Sequence, residues 1–205
     1  MTELTFIRHG ETDWNLQQRF QGQIDVPLNA TGRGQAARLA ARLAGTPAGL
    51  LFSSDLQRAR ETAAPLAAAW KLPVELVPGL REQSFGVLEG LDVPTIQRQH
   101  PELWAKWLQH DADFALPGGE SLNQFSARVL NAVQTLVQAH AGRHLVIVTH
   151  GGVLDMLWRS AHRLSLHGLR DCAIPNTGVN RLLWRDGRLE VVQWGDDQHL
   201  AAALA

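Results

Sequence analysis

The stretch HLVIVTHGG at residues 144–152 carries the clearest fold signal in the chain. Its core, Leu145–Val148, consists of four consecutive apolar residues, which indicates a strand that is buried on both faces. The residues from Thr149 to Gly152 are polar or small, and they lead into a stretch with helical periodicity, Val153–Ala161. A buried strand that runs directly into a helix is typical of proteins in which helices pack on a parallel sheet.

The same alternation of apolar runs and helix-period segments extends on both sides of this stretch. Further strand candidates are Leu4–Ile7, Gly49–Phe52, Pro73–Val77, Asn180–Trp184 and Leu189–Trp194, and further helical segments are 35–44, 56–70 and 122–136. The last two strands flank Arg185-Asp186-Gly187, which predicts a hairpin turn. These patterns predict an α/β fold, a three-layer α/β/α sandwich with a mostly parallel mixed sheet. We expect one domain over residues 1–205, with an inserted lid or specificity segment at about 84–120.

Two of the helical segments begin with a pattern that predicts side-chain capping. Ser54 is followed three residues later by Gln57, and Ser121 is followed in the same way by Gln124. In such a capping box each side chain bonds to the backbone N–H of the other residue. We expect the helix after Ser54 to direct its free N–H groups and its positive dipole end toward the edge of the sheet.

Composition limits the class of protein and its partners. The 205 residues include 19 Lys and Arg against 20 Asp and Glu, and this balance gives no reason to expect a nucleic-acid or membrane partner. The single cysteine, Cys172, can form neither an intrachain disulfide nor a zinc cluster, and the first residues lack the pattern of a signal peptide. No apolar run approaches the ~20 residues of a membrane span. We therefore expect a cytoplasmic protein.

Polar side chains follow the predicted parallel strands at the point where each strand ends. Arg8 and His9 follow the first strand, and Arg58 comes shortly after the second. Glu82 comes a few residues after the third strand, and His150 follows the fourth. Because ligands of open α/β sheets bind at the carboxyl ends of the strands, we expect these side chains to converge on one site.

The chemistry of these side chains favours phosphoryl transfer without a metal. Guanidinium groups present paired donors that match phosphate oxygens. A neutral histidine is a competent nucleophile toward phosphorus, and a second histidine can donate to the phosphoryl oxygens as charge develops. A protonated Glu82 can give its proton to the leaving oxygen, and like-charge repulsion from a bound phosphate favours that protonated form.

Each of these residues also has a simpler interpretation when it is taken alone. A single histidine at a strand end is more often a satisfied polar residue than a catalyst, and Arg58 alone suits a solvated helix face. The histidines other than His9 and His150 follow no such pattern and are interpreted as structural or solvated. His9-Gly10-Glu11 contains the H-x-E of zinc deaminases, but no Cys pair follows to complete a zinc site. We expect neither a metal nor a cofactor.

Six motifs follow one another over most of the chain. They are RHGETDWN at 8–15, RFQGQIDVPLNATG at 19–32, SSDLQRARETA at 53–63, LREQSFGVLEG at 80–90, PGGES at 117–121 and HLVIVTHGG at 144–152, and PNTGVNRLLW at 175–184 extends the series. In this order they resemble the motifs of the histidine phosphatase superfamily, the phosphoglycerate-mutase-like group. The resemblance implies a mixed sheet between layers of helices and a reaction that needs no metal.

The resemblance also implies a role for each residue of the predicted site. His9 would be the nucleophile that becomes phosphohistidine, and Glu82 would be the proton donor. Arg8, Arg58 and His150 would complete the phosphate pocket. Four further residues match family positions that contact the phosphate or line the pocket: Asn15, Gln21, Gly22 and Gly151.

The segment Glu82-Gln83-Ser84-Phe85-Gly86 bears on which activity of the family this chain has. Cofactor-dependent phosphoglycerate mutases carry E-R-H-Y-G here, so this chain lacks a positive charge and two polar side chains that would hold a phosphorylated carboxylate substrate. We therefore expect a phosphatase, which hydrolyses a phosphate monoester when water attacks the phosphohistidine. The alternatives are a phosphoglycerate mutase and a non-catalytic module that binds phosphorylated ligands.

The expected substrate is a small phosphorylated metabolite, bound by a monomer or a homodimer. Only two of the 19 basic residues are lysines, so phosphate recognition falls to arginine. We expect the 84–120 segment to select the substrate, although its aromatic residues would serve equally as packing. The residues considered for this selection are Trp104, Trp107 and Phe114 in that segment, and Arg163, His167 and Arg170 after it.

Overall fold

Six strands form one mixed sheet in the computed structural model, which describes residues 1–46 and 49–201. The strands are β1 (Thr2–Arg8), β2 (Leu50–Ser53), β3 (Val74–Leu76), β4 (His144–Thr149), β5 (Val179–Arg185) and β6 (Arg188–Asp196). Their order across the sheet is β3-β2-β4-β1-β5-β6. The first four strands in that order are parallel, whereas β5 is antiparallel to β1 and β6 is antiparallel to β5. The predicted mostly parallel mixed sheet with a final hairpin is confirmed.

Helices cover both faces of this sheet. They are α1 (Asp13–Leu16), α2 (Ala30–Leu43), α3 (Gln57–Trp70), α4 (Val93–Gln99), α5 (Pro101–Trp107), α6 (Leu122–Ala139), α7 (Gly151–His162) and α8 (Gln198–Ala201), with 3-10 turns at Pro78–Leu80 and Gly86–Leu88. Side chains alternate along β1, so that Phe6 packs in the core with α6 and α7 while Ile7 packs in the core with α2 and α3. This arrangement is the predicted α/β/α sandwich. No helix of the described residues is long and apolar enough to cross a membrane.

The carboxyl ends of three neighbouring parallel strands lie side by side. Arg8, the last residue of β1, is opposite Thr149, the last residue of β4. Ser53, the last residue of β2, is opposite Val148 in β4. The loops that follow these strands therefore begin at one level of the sheet, which is where an open α/β sheet binds its ligand.

One helix starts earlier than its apolar periodicity predicts, and one predicted cap is confirmed. α2 begins at Ala30 rather than near residue 35, because the Asn29 side chain caps it by accepting from the Gly32 N–H. Its first five residues contain two glycines and no periodic apolar residue, so the apolar pattern begins later than the helix. The Ser121–Gln124 capping box forms at the start of α6 as predicted.

The other predicted capping box, Ser54 with Gln57, is wrong. α3 begins after Leu56 and has no side-chain cap. The first backbone N–H of the helix, on Gln57, donates to Asp25 Oδ1 instead of being left for a ligand. The Ser54 hydroxyl bonds to the ring of His150. A tertiary contact has replaced the local one that the sequence pattern indicated.

The 84–120 segment contains α4 and α5 and forms a small apolar cluster of its own. Trp104 and Trp107 pack edge-on against Phe20, with ring centroids 6.4 and 5.7 Å from it. Phe85 also packs against Phe20, with a centroid separation of 5.0 Å. These contacts attach the segment to the loop after α1.

Candidate functional site

A cavity of about 270 Å³ lies at the carboxyl end of the sheet, and we refer to it as the His9 cavity. Seven of the predicted site residues line it: Arg8, His9, Asn15, Gln21, Gly22, Arg58 and Glu82. His150 is buried behind Arg58, and Gly151 begins α7 beside the Arg8 side chain. The structure thus brings the predicted residues together, although His150 and Gly151 do not line the cavity itself.

His9 is buried, with only 3% of its surface exposed. Its Nδ1 lies 2.7 Å from the carbonyl oxygen of Gly10, which can only accept, so Nδ1 carries the hydrogen and Nε2 keeps its lone pair. Burial lowers the pKa of His9 well below its usual value, and the charges of Arg58 and Arg8 lower it further. The ring is therefore neutral at pH 7, with Nε2 available as a nucleophile.

Arg58 is fully buried, and its guanidinium group is held on three sides. Nη2 donates to the carbonyl oxygen of Gly22 at 2.7 Å, Nη1 to that of Ile24 at 2.9 Å, and Nε to His150 Nδ1 at 3.2 Å. Burial lowers the pKa of Arg58 to about 10, although Glu82 opposes the shift, so the group stays charged at pH 7. Each terminal nitrogen keeps a second hydrogen for a ligand in the His9 cavity.

His150 bonds to two neighbouring side chains, and its role as a donor to the phosphoryl oxygens stays a prediction. Because its Nδ1 accepts from Arg58, its one ring hydrogen is on Nε2, which lies 2.8 Å from Ser54 Oγ. Burial lowers the pKa of His150 well below its usual value, and the charge of Arg58 adds to this, so the ring stays neutral. Its centroid is 5.3 Å from that of His9. In this arrangement His150 orients Arg58 beside the nucleophile.

Three further side chains bring polar groups to the His9 cavity. Arg8 Nη1 donates to the Ile174 carbonyl oxygen at 2.6 Å, whereas its buried Nε has no partner among the described residues. Asn15 Oδ1 accepts from the Thr12 N–H, which fixes the amide at the cavity. Gln21 Oε1 is also buried without a partner among the described residues. A buried polar group without a partner costs roughly 1–3 kcal/mol, so the unpaired Arg8 and Gln21 atoms indicate a site for a polar ligand.

Glu82 is held in place by backbone N–H groups. Oε1 accepts from Gln83 N–H at 2.9 Å, and Oε2 accepts from Gly152 N–H at 3.0 Å. Gly152 is the second residue of α7, so the carboxylate also lies at the positive end of that helix. A side chain at Gly152 would overlap Glu82 Oε1. The sequence analysis gave Gly152 no role of its own, although its place two residues after His150 was a signal for one.

The loop that carries Gly22 is held by Glu89, which the sequence analysis did not single out. Glu89 Oε1 accepts from Gln23 N–H at 3.0 Å and from Phe85 N–H at 2.9 Å. Gly22 has a φ of +51°, and a Cβ there would overlap the Glu89 carboxylate. Because the Gly22 carbonyl accepts from Arg58, Glu89 helps to fix the position of that guanidinium group.

The backbone of the nucleophile is held by the turn before β5. Asn176 Nδ2 donates to the His9 carbonyl oxygen at 2.9 Å, and Thr177 N–H donates to that of Arg8 at 3.0 Å. Thr177 has a φ of +55°, which a β-branched residue rarely adopts. Its hydroxyl lies 2.9 Å from Nε2 of His199, a buried residue of α8. In the sequence this turn is part of PNTGVNRLLW, and no local signal marks its role.

A second cavity, of about 330 Å³, adjoins the first, and we refer to it as the Arg170 cavity. Glu82, Phe85 and Trp107 line both cavities. The Arg170 cavity is also lined by Phe114, Asp155 and Arg170. Three of the residues considered for substrate selection therefore line this cavity: Trp107, Phe114 and Arg170. Trp104 packs against Phe20 instead, and Arg163 borders a different cavity. His167 supports the neighbouring loop, where its Nδ1 accepts from Ala112 N–H.

The His9 cavity presents two guanidinium groups, a neutral imidazole and one carboxyl group. Within residues 1–46 and 49–201, no group of three or more His, Cys, Asp and Glu side chains could hold a metal ion. Paired arginine donors match the oxygens of a phosphate dianion. The geometry therefore fits a phosphate group placed between Arg8, Arg58 and His9.

Comparisons with known proteins agree with this chemistry. The model of the histidine phosphatase superfamily (branch 1) matches residues 4–197. A metal-independent phosphoserine phosphatase of Arabidopsis thaliana is 35% identical over 205 residues, which cover 98% of this chain and 84% of that protein. Phosphoglycerate mutase-like protein 4 of the same organism is 40% identical over 202 residues, which cover 97% of this chain and 86% of that protein. A solved structure, phosphoserine phosphatase from Entamoeba histolytica in complex with 3-phosphoglyceric acid, has a TM-score of 0.86 and 28% identity, covering 98% of this chain and 100% of that chain.

The family match includes all of the quoted motifs and extends from β1 to the hairpin formed by β5 and β6. The resemblance stated from the sequence and the expected phosphatase class are both confirmed. The chain belongs to the histidine phosphatase superfamily (branch 1) and is a phosphatase of phosphate monoesters.

Proposed function

We propose that this phosphatase acts on a small phosphorylated metabolite through a phosphohistidine on His9. The observation that carries the proposal is the hydrogen bond from His9 Nδ1 to the Gly10 carbonyl oxygen, which leaves Nε2 unprotonated in the His9 cavity. The unpaired Nε of Arg8 and the remaining hydrogens of Arg58 supply donors for the phosphate oxygens.

In the first step His9 Nε2 attacks phosphorus, and the bond between phosphorus and the ester oxygen breaks. The ester oxygen leaves with the proton of Glu82, which borders both cavities and so lies between the phosphate and the rest of the substrate. Arg8 and Arg58 stabilise the charge that develops on the phosphoryl oxygens. The products are the free alcohol, phosphohistidine and the Glu82 carboxylate.

In the second step water attacks the phosphohistidine, and the P–N bond breaks. The Glu82 carboxylate takes a proton from the attacking water, which restores its acid form and releases inorganic phosphate. The same residue therefore serves as acid and then as base. His9 returns to the neutral state that its burial favours.

Two observations favour hydrolysis over the mutase reaction that the name of one relative suggests. Gln83 borders the Arg170 cavity with a neutral side chain, and its amide group donates to the carbonyl oxygen of Glu120. The Ser84 hydroxyl donates to Glu89. Neither residue adds a cation to hold a bisphosphorylated intermediate against water. A coupled assay for phosphoglycerate isomerisation, primed with 2,3-bisphosphoglycerate, should detect none at high enzyme concentration.

Hydrolysis of p-nitrophenyl phosphate in EDTA by wild-type protein and by His9→Ala tests the proposal. We expect His9→Ala to lower the rate by roughly 10⁴-fold or more, because it removes the nucleophile. Brief incubation with a ³²P-labelled ester should leave acid-labile, base-stable phosphate on wild-type protein and none on His9→Ala. His162→Ala, at an exposed position at the end of α7, is the matched control. Full activity in His9→Ala would contradict the proposal.

Other expectations from the sequence extend this proposal. The 84–120 segment is proposed as the part of the single domain that selects the substrate, supported by Trp107 and Phe114 at the Arg170 cavity. A cytoplasmic location, a monomeric or homodimeric state, and the lack of nucleic-acid and membrane partners stay predictions from composition.

A further inference from the structure

Arg170 brings to the Arg170 cavity a guanidinium group whose one ion pair, with Asp155, is long. Its Nε lies 3.8 Å from Asp155 Oδ2, too far for a hydrogen bond, and its side chain is 42% exposed. Within the part of the chain that the structure describes, its guanidinium group forms no hydrogen bond. The five N–H donors of Arg170 are therefore available to a ligand.

The guanidinium group of the neighbouring Arg159, by contrast, has all three nitrogens engaged in hydrogen bonds. Its Nε donates to Asp155 Oδ1 at 3.1 Å, and its terminal nitrogens donate to the carbonyl oxygens of Ser165 and Gly168 at 2.5 and 3.0 Å. Arg159 is 5% exposed, so these bonds are shielded from water. Arg159 therefore anchors the loop up to Gly168, two residues before Arg170.

Arg170 is also close to the phosphate side of the site. A methyl group added at Gly151 would lie 3.6 Å from Arg8 Nε and 3.9 Å from an Arg170 terminal nitrogen, so both groups approach the same point. Arg8 Nε is the buried donor without a partner. A substrate whose phosphate binds Arg8 would extend past Glu82 and place its next few atoms within reach of Arg170.

The walls of the Arg170 cavity limit what those atoms can be. Trp107, Phe114 and Leu169 give it apolar surface, and its volume of about 330 Å³ suits a small organic group. Glu82 and Asp111 also line the cavity, and Asp155 accepts a hydrogen bond from Arg159 but not from Arg170, so among the described lining residues Arg170 is the arginine whose donors face the cavity unpaired. One planar guanidinium group beside apolar walls matches one carboxylate better than a second phosphate dianion.

We propose that Arg170 binds a carboxylate on the leaving group, so that the preferred substrates are small phosphate monoesters with a carboxylate a few bonds from the ester oxygen. This inference rests on the proposed function and names its substrate class. Arg170 is then a specificity-determining residue that acts on the alcohol part of the substrate, while Arg8 and Arg58 act on the phosphate.

The test compares 3-phosphoglycerate with glycerol 3-phosphate, which carries a CH₂OH group in place of the carboxylate. Wild-type protein should show a kcat/KM for 3-phosphoglycerate that is higher by roughly 10- to 100-fold, the usual worth of a charge-assisted hydrogen bond. In Arg170→Gln this ratio should fall to near one, and Arg170→Lys should restore part of it. The matched control is Arg163→Gln, at an exposed position that borders another cavity, and it should keep the wild-type ratio.

The outcomes separate this inference from the proposed function. If wild-type protein and Arg170→Gln show the same ratio of kcat/KM for the two esters, Arg170 does not bind the carboxylate and the inference is overturned. Hydrolysis of p-nitrophenyl phosphate that depends on His9 would then still support the proposed function. If no ester is hydrolysed by wild-type protein, the proposed function fails and the inference fails with it.

Discussion

The His9 cavity and the Arg170 cavity meet at Glu82, but they are built in different ways. The groups around His9 follow directly after strands whose ends are aligned by the sheet register. Their donors are tied to backbone oxygens, as Arg58 is to Gly22 and Ile24. The Arg170 cavity is instead assembled from helical and loop segments that the sheet does not position, with the loop before Arg170 held by Arg159.

This difference separates the reaction from the choice of substrate. The sheet fixes the groups that act on the phosphate, so changes there should lower the rate for every monoester. Local contacts fix the groups around the leaving alcohol, so changes there should alter the ratio between monoesters. Glu82 stands at the boundary and should show both kinds of effect.

After loss of the nucleophile, the largest expected fall in activity comes from a change at Glu82, where the two cavities meet. Glu82→Gln removes the acid, and we expect kcat/KM for an alkyl phosphate to fall by roughly 10²- to 10⁴-fold. The fall should be smaller for p-nitrophenyl phosphate, because its leaving group needs less protonation. Glu102→Gln, at an exposed position of α5, is the control. Equal losses for the two esters would argue against Glu82 as the acid.

A smaller effect is expected from a change that displaces Glu82 without altering its chemistry. In Gly152→Ala the added methyl group overlaps Glu82 Oε1, so the carboxyl group must move. We expect alkyl phosphate hydrolysis to fall by roughly 10- to 100-fold, since small misplacements of a catalytic group are costly. Gly34→Ala adds the same methyl group to α2, where only an Arg38 nitrogen comes within 4.0 Å. Wild-type rates in Gly152→Ala would show that the acid need not be held there.

The smallest expected effect concerns the pH dependence of stability, to which the two buried histidines at the His9 cavity should contribute. His9 and His150 are buried with lowered pKa values, mainly through burial. Below about pH 6.5 the unfolded chain binds protons that the folded chain does not, so the free energy of unfolding should decrease as the pH is lowered, by at most about 1.4 kcal/mol per pH unit for each histidine. Urea unfolding at pH 7.5 and 5.5 should show a weaker pH dependence in His9→Asn. His162→Gln should leave it unchanged, and an unchanged slope in His9→Asn would refute the assignment.

The sequence was sufficient for the parts of the site that follow strands. Four apolar residues at 145–148 predicted β4. The polar residues after each parallel strand predicted the His9 cavity, because the ends of neighbouring parallel strands lie side by side in the sheet. Local periodicity also located α3, α6 and α7. Their exact starts depended on caps, and Ser54 shows that a local pattern can yield to a tertiary partner.

The remaining features depend on contacts between distant segments, for which one sequence has no local signal. Glu89 bonds to the loop after Gly22, and Arg159 bonds to the loop before Arg170. The direction of the His150 ring depends on both Arg58 and Ser54, so its role could not be deduced from its place after β4. Arg163 and Arg170 looked equivalent in sequence, yet they border different cavities.

The position of β1 in the sheet has a consequence for synthesis of the chain. The nucleophile precedes the segments that hold it, because β1 pairs with β4 and β5, and the His9 backbone is held by Asn176. A ribosome-bound chain that has not reached these segments therefore carries the reactive histidine without the pocket that activates it. Phosphatase activity should appear only after β5 and the turn at Asn176 have emerged, because such long-range pairing forms late.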